Sequence, residues 1–227
     1  MNLAVIAIDG PAGVGKSSVA RALAKRLGFF LLDTGAIYRS LALFASQQGV
    51  SFDDGPGLGA LAAGLPIRFG RGDQDGQVFL NDVSVTDAIR SPEISLAASL
   101  VSAHPEVRRE LLDLQRRLSC VAPCVVEGRD IGTVVLPNAP VKFFLTASPE
   151  VRAARRQKEL LARGIQVDKE ATLREQQERD LRDQNRAAAP LRCADDALVV
   201  DTGELSFEQV LELLVELATQ YLKRGVA

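Results

Sequence analysis

The sequence has few of the residues that build metal sites and disulfide frameworks. Three cysteines (Cys120, Cys124, Cys193) and one histidine, His104, are spread over 227 residues. An odd cysteine count without framework spacing argues against a secreted, stapled scaffold. One histidine supplies a zinc site poorly. Long apolar runs are missing as well: no stretch approaches the roughly 20 residues of a membrane span. Leu3–Ile8 is short and has no basic region before it, unlike a signal peptide. Neither sign of charge dominates, since 27 Lys+Arg against 29 Asp+Glu leaves −2. That excludes a broadly cationic nucleic-acid binder and makes any basic site a local one. The expectation is a soluble, cytoplasmic monomer with no nucleic-acid polymer and no membrane as partner.

What is present reads as an α/β protein. The residues are 47% hydrophobic and 25% charged, a balance that supports one large core, or one core carrying an insertion. Leu3–Ile8, Phe29–Leu32, Val125-Val126, Val141–Leu145 and Ala197–Val200 are short apolar runs of the kind buried on both faces of a parallel sheet. Helical patterns alternate with them: one with Val19, Leu23, Ala24 and Leu27 on one face, one over Ala36–Gln48, and a closing one with Phe207, Val210, Leu211 and Leu214. Ser91-Pro92, Pro105 and Ser148-Pro149 are helix starts, and Thr172–Glu175 is a capping box. The alternation breaks between Ser51 and Ile89. There Ile67–Phe69, Val78–Leu80 and Val83–Val85 read as a small antiparallel insertion, with Asn81-Asp82 where an Asn-Gly turn is expected. His104 reads as a helix-entry residue, Cys120 and Cys124 as packing residues, and Phe29 and Phe30 as core.

Gly10-Pro11-Ala12-Gly13-Val14-Gly15-Lys16-Ser17, continued by Ser18, fits the pattern G-x-x-x-x-G-K-[ST]. Its chemistry requires these residue types. Glycines let successive backbone N–H groups turn in around a phosphate, and the helix that follows offers its positive end to the anion. Lys16 is placed for the β/γ-phosphates of ATP, and Ser17 for Mg²⁺. The loop follows a buried strand and opens a helix, the context that gives the pattern meaning. GTPases read guanine with Asn-Lys-x-Asp. The nearest string here, Asp183-Gln184-Asn185-Arg186, lacks the lysine and the final aspartate.

A second anion-binding set stands beside this loop. Arg39 and Arg129 both lie just past strands, where open α/β sheets bind ligands. Arg179, Arg182, Asp183 and Arg186 fall on one face of a helix. Three converging arginines, Arg39, Arg129 and Arg186, describe a pocket for a second phosphate. A phosphomonoester is largely a dianion at neutral pH, so it attacks without a general base, and cations offset its repulsion from the γ-phosphate. A hydroxyl acceptor would need a base and fewer arginines.

The segments Ile8–Ser17, Asp33–Arg39, Glu127–Thr133 and Glu178–Arg186 together resemble the bacterial cytidylate (CMP/dCMP) kinases, P-loop nucleoside monophosphate kinases. The resemblance spans essentially the whole chain. It implies a P-loop NTPase fold with a five-stranded parallel sheet flanked by helices, plus a small antiparallel insertion and a helical lid. The implied domains are a core of 1–50 with 90–147 and 187–227, an acceptor-binding insertion at 51–89, and a lid with flanking helices at 148–186. The implied reaction takes the γ-phosphoryl of ATP, with Mg²⁺, to CMP or dCMP. By the same resemblance Arg39, Arg129 and Arg186 clamp the acceptor phosphate, and Ser99, Arg108 and Asp130 read cytosine. Asp183 and Arg179 contact the ribose, Thr34 floors the pocket, and Tyr38 and Gly128 line it. The mobile lid spans Arg152–Asp168, with Arg155 or Arg156 approaching the transferred phosphate. Lys16, Arg129, Arg155 and Arg186 form the implied catalytic set. No acidic residue is assigned to Mg²⁺ beside Ser17.

Overall fold

A computed structural model describes residues 4–162 and 164–224. Leu3, expected to open the first strand, and Arg163, inside the expected lid, lie outside the described residues. The chain runs through β1 (Val5–Asp9), α1 (Lys16–Leu27), β2 (Phe30–Asp33), α2 (Thr34–Gln48) and α3 (Gly55–Ala63). Three short strands follow, β3 (Ile67–Phe69), β4 (Val78–Leu80) and β5 (Val83–Ser84). Next come α4 (Pro92–Val101), α5 (Pro105–Ser119), β6 (Cys124–Glu127), β7 (Val141–Thr146), α6 (Pro149–Ala162), α7 (Lys169–Asn185), β8 (Leu198–Asp201) and α8 (Phe207–Arg224).

β2, β6, β1, β7 and β8 form one five-stranded sheet in that order, every pairing parallel. Side chains alternate across it, as a pleated strand requires. Ile6, Ile8, Val125, Phe143 and Leu145 pack with Val19 and Leu23 of α1 and with Val210 and Leu214 of α8. Ala7, Leu32, Cys124 and Val126 face the other way, onto Ile37 and Leu41 of α2 and Val107 and Leu111 of α5. The apolar strands of the sequence are therefore apolar because both faces of the sheet are covered.

The insertion is the separate antiparallel sheet β3-β4-β5. Asn81 and Asp82 join β4 to β5 with φ of 46° and 63°. Both values are positive, as a tight two-residue hairpin turn demands, so Asp82 takes the place usually given to glycine. Val78 and Leu80 share the core layer of α2. Phe69 sets its ring edge-on to Phe30 of β2, 6.5 Å between centroids.

Two local features differ from the sequence reading. α7 begins a turn before the Thr172–Glu175 capping box, because Asp168 accepts a hydrogen bond from the Ala171 N–H at 2.8 Å. An aspartate at that position satisfies an orphan helix donor, and Thr172 becomes an interior residue donating to the Asp168 carbonyl. The 131–135 segment after β6 forms a π-helical turn, which no periodicity foretold.

Leu23 is fully buried between the sheet and α8. Leu23→Ala is expected to cost about 2–5 kcal/mol, read as a lower urea midpoint with an unchanged slope.

Candidate active site

Adjacent strands β2, β6 and β1 end at one edge, and each delivers a segment there. β1 delivers the phosphate loop. Gly10 opens it with φ 143°, and a Cβ on it would lie 2.2 Å from the Leu145 carbonyl oxygen, so only glycine lets the loop leave the strand there. Gly13 and Gly15 also have positive φ, and α1 starts directly after Gly15. Pro11, Ala12 and Val14 fill the crown of the loop, and Ser17 and Ser18 lie exposed on the first turn of α1. Lys16 is buried and donates to the Pro11 carbonyl at 2.7 Å. Burial, then the nearby Arg129 charge, pulls its ammonium well below the ordinary lysine range.

β6 delivers a carboxylate that the sequence reading did not assign. Glu127 is 3% exposed, and its Oε2 accepts from the Ser17 hydroxyl at 2.9 Å. Its Oε1 is buried with no partner among the described residues. Burial first, then the Asp33 charge, push the carboxyl up to about 7. Position was the available signal: Glu127 ends the strand beside β1, opposite the first turn of α1.

β2 delivers Asp33, Thr34 and Arg39. Asp33 caps α2 through the Ala36 N–H at 3.0 Å, and its second oxygen accepts from Arg39 at 2.7 Å. Thr34 donates to the Glu127 carbonyl at 2.7 Å, which places it on the floor between the two strand ends. A Cβ on Gly128 would lie 2.7 Å from the Thr34 hydroxyl, so this floor is closely packed.

Beyond β6 the cations and carboxylates form a chain. Arg129 Nε donates to Asp183 Oδ2 at 2.9 Å. Arg186 lies 3.9 Å from the other Asp183 oxygen and donates to Asp130 Oδ1 at 3.1 Å. Arg108 donates to Asp130 Oδ2 at 2.5 Å and sits over the Tyr38 ring. Burial alone would raise the Asp183 carboxyl, but Arg129, Arg179 and Arg186 hold it below the usual range. Burial, then Arg108, lowers Arg186. Ser99 is buried on α4 with its hydroxyl unpartnered, and its backbone carbonyl binds Ser102, whose own carbonyl accepts from Arg108. A cavity of about 300 Å³ opens against Tyr38, Arg108, Gln115, Asp130 and Ala189.

Arg179 stands apart from this pairing. It is half-buried, with Nε lacking a partner. Desolvation, then the Arg129 charge, pulls it down to about 10. Arg39 and Arg156 add to the same field, so it lies among cations as well as beside Asp183. Of the two expected lid arginines, Arg155 is not brought to the cluster: its guanidinium is held by the hydroxyl and carbonyl of Thr202 beyond β8. Arg156 pairs with Glu159, and its charge is the smallest of those that lower Arg179. Arg152, expected at the start of the mobile segment, is buried against Asp180.

A phosphate loop on the central strand, facing arginines from the neighbouring strand ends, defines a P-loop phosphotransferase. Among solved structures, an uncharacterized protein from Eubacterium ventriosum matches with a TM-score of 0.56 at 13% identity, covering 96% of this chain and 99% of its own. A gluconokinase from Sinorhizobium meliloti matches at 0.50 and 16%, covering 98% and 95%. At those identities they establish the fold alone. The family is set by sequence: the cytidylate kinase family model matches residues 6–220, and the chain belongs to that family. The cytidylate kinase of Syntrophotalea carbinolica is 49% identical over 95% of this chain and 92% of its own. That of Pelotomaculum thermopropionicum is 51% identical over 92% and 93%.

The raised Glu127 carboxyl gives a direct measurement. In metal-free protein, carbon-detected NMR is expected to show a carboxyl titrating near 7 that is absent in Glu127→Gln. Lys16→Met removes a charge that lowers this value, so the midpoint should rise. The folded chain holds this proton above the ordinary 4.5. Its stabilising contribution is thus full below 4.5 and lost as pH rises through 7, a slope that Glu127→Gln should flatten.

Proposed function

We propose that this protein transfers the γ-phosphoryl group of ATP to CMP or dCMP, giving ADP and CDP or dCDP. The observation that carries the reading is the pair of opposed anion sites, the phosphate loop on β1 and the arginines past β2 and β6. Family membership supports the choice of acceptor. The core, 1–50 with 90–147 and 187–227, holds the donor. The insertion at 51–89 closes the acceptor side, and 148–186 forms the lid. In this reading the protein acts as a monomer on free nucleotides of the cytoplasm. Among the described residues no helix is long and apolar enough to cross a membrane.

The chemistry follows from charge. The acceptor phosphate is already a nucleophilic dianion, so the chain must bring two anions together and stabilise the group in flight. Lys16 takes the β/γ-phosphates, and Arg39, Arg129 and Arg186 take the acceptor phosphate. Arg179 shares the field of Lys16 and Arg129: its charge acts on Lys16, and the Arg129 charge acts on it. It therefore serves the transferred group as well as the ribose, with Asp183. Of the lid arginines, Arg156 is the one placed to join it. Closure of the lid excludes water from this field. Mg²⁺, when bound, neutralises charge on the β/γ-phosphates. The residues fit it: the Ser17 hydroxyl is an oxygen donor, and Glu127 offers a buried oxygen with no other partner. These two would hold the ion or its water.

Cytosine presents an amino group where uracil presents a carbonyl oxygen. Both Asp130 oxygens accept from arginine, yet each retains a second lone pair for the base amino group. Arg108 and Ser99 keep buried polar atoms free of partners for the ring nitrogen and O2. A site built this way leaves those groups unpaired with the wrong base.

A coupled ADP-release assay over CMP, dCMP, UMP, AMP and GMP tests the function, with CMP and dCMP expected far ahead. Equal turnover of UMP would overturn it. Asp130→Asn should narrow the CMP-to-UMP ratio. Arg129→Ala should raise the KM for CMP by about tenfold or more, as loss of a charged hydrogen bond implies, with the KM for ATP little changed. Glu127→Gln should raise the Mg²⁺ concentration for half-maximal turnover by about tenfold or more.

A further inference from the structure

Asp180 lies in the charged run Glu178–Arg186, yet nucleotide chemistry leaves it without a task. It is buried on α7, and its Oδ2 accepts from Arg152 Nη1 at 2.6 Å. The same Nη1 donates to the carbonyl of Ala12, in the crown of the phosphate loop, at 3.1 Å. Arg152 Nε donates to the Ala147 carbonyl, where β7 turns into α6, also at 3.1 Å. One guanidinium thus joins the phosphate loop, the β7–α6 junction and α7. The packing agrees: a Cβ on Gly13 would lie 3.0 Å from both Arg152 Cβ and Gln176 Nε2. The crown of the loop therefore rests directly on the root of α6 and the middle of α7.

This contact governs which way the loop presents its backbone. A phosphate cradle works only when its N–H groups face inward. Holding the Ala12 carbonyl from outside fixes that orientation without occupying the cradle. A guanidinium has a planar fork of donors, so it cannot keep three separate acceptors if one of them shifts. Asp180 is what makes the buried cation tolerable there, since a buried charge without its partner is costly.

We propose that Arg152 and Asp180 are a positioning pair that holds the phosphate loop in its anion-binding form, so that donor affinity depends on how α6 and α7 are seated. Neither residue has to touch ATP. The inference rests on the proposed donor role of the loop.

The test uses full-length Asp180→Asn and Arg152→Lys. Asparagine keeps the size of Asp180 and one acceptor for Arg152 but removes the charge. Lysine keeps the charge of Arg152 but not the fork. The readouts are ATP binding by calorimetry, the KM for CMP, and hydrogen exchange at the amides of residues 12–15. The expected result is an ATP Kd raised by about tenfold, near what one charged hydrogen bond is worth. The KM for CMP should stay within about threefold of wild type. Exchange should quicken at the loop and not across the sheet. An unchanged ATP Kd in folded Asp180→Asn overturns the proposal. So does an equal loss for ATP and CMP, or faster exchange throughout, since either marks general destabilisation. If Arg152→Lys does not fold, Asp180→Asn decides alone. A wild-type protein that binds no ATP would remove the donor reading and this proposal together, whereas wild-type binding with unaffected variants removes only the proposal.

Discussion

The cations of the cleft repel one another, and the rest of the site is arranged around that repulsion. Arg129 lowers the proton affinity of both Lys16 and Arg179, Arg179 lowers that of Lys16, and Arg108 does the same to Arg186. Without ligand, such a cluster holds together only if carboxylates stand inside it. Asp33 holds Arg39, Asp183 holds Arg129, and Asp130 holds Arg108 and Arg186 at once. Breaking a buried pair leaves an uncompensated charge. Asp130 therefore has a structural duty beside any base-reading one, and its replacement by alanine would confound the two. Asparagine is the cleaner probe because it keeps the size and one acceptor for the arginines, losing the other where its amide nitrogen meets a guanidinium.

The sheet topology makes this concentration of charge possible. A parallel sheet sends all its strands' carboxyl ends to one edge, and helices covering both faces supply the returns. β1 lies in the middle, with β6 and β2 to one side and β7 and β8 to the other. The phosphate loop consequently has the arginines and carboxylates that follow β6 and β2 on one flank. On the other it has the β7–α6 junction, with Arg152 and the Thr202 turn. The single Thr202 hydroxyl proton is shared between the Val14 and Thr146 carbonyls, each 3.1 Å away, so the second flank also braces the loop through the Val14 carbonyl.

Much of this was legible in the residues. The phosphate loop declares itself because its geometry is local: three closely spaced glycines, a lysine and a hydroxyl within eight residues. The buried strands were legible for the same reason, each run being apolar on both faces, and the observed strands start and stop within a residue or two of the expected ones. What could not be read were choices between neighbours. Arg155 and Arg156 are adjacent and chemically alike, and only the helix phase of α6 turns one to Thr202 and leaves the other paired with Glu159 on its own helix. Asp168 and Thr172 are both competent caps, a turn apart, and the loop entering α7 decides for the aspartate. Glu127 was quoted within its motif, but its meeting with Ser17 joins residues far apart in sequence, and strand order alone creates it.

The same distinction bears on where the proposed lid could hinge. A charged helix with an interrupting glycine reads as mobile along its whole length, because sequence charge does not say which cations are solvated. Arg152 carries the same formal charge as Arg156, yet Arg152 is nearly dry and bonded to three segments, while Arg156 is a quarter exposed and pairs within its own helix. A cation desolvated among backbone carbonyls and a buried carboxylate cannot leave without exposing those partners unpaired. A cation in a local pair loses little by moving. If the proposed lid closes over the phosphates, its pivot therefore falls beyond Arg152, with the root of α6 staying on the phosphate loop and the freer Arg156 turn travelling. The anchored Arg152 and the freer Arg156 are separated by one helical turn.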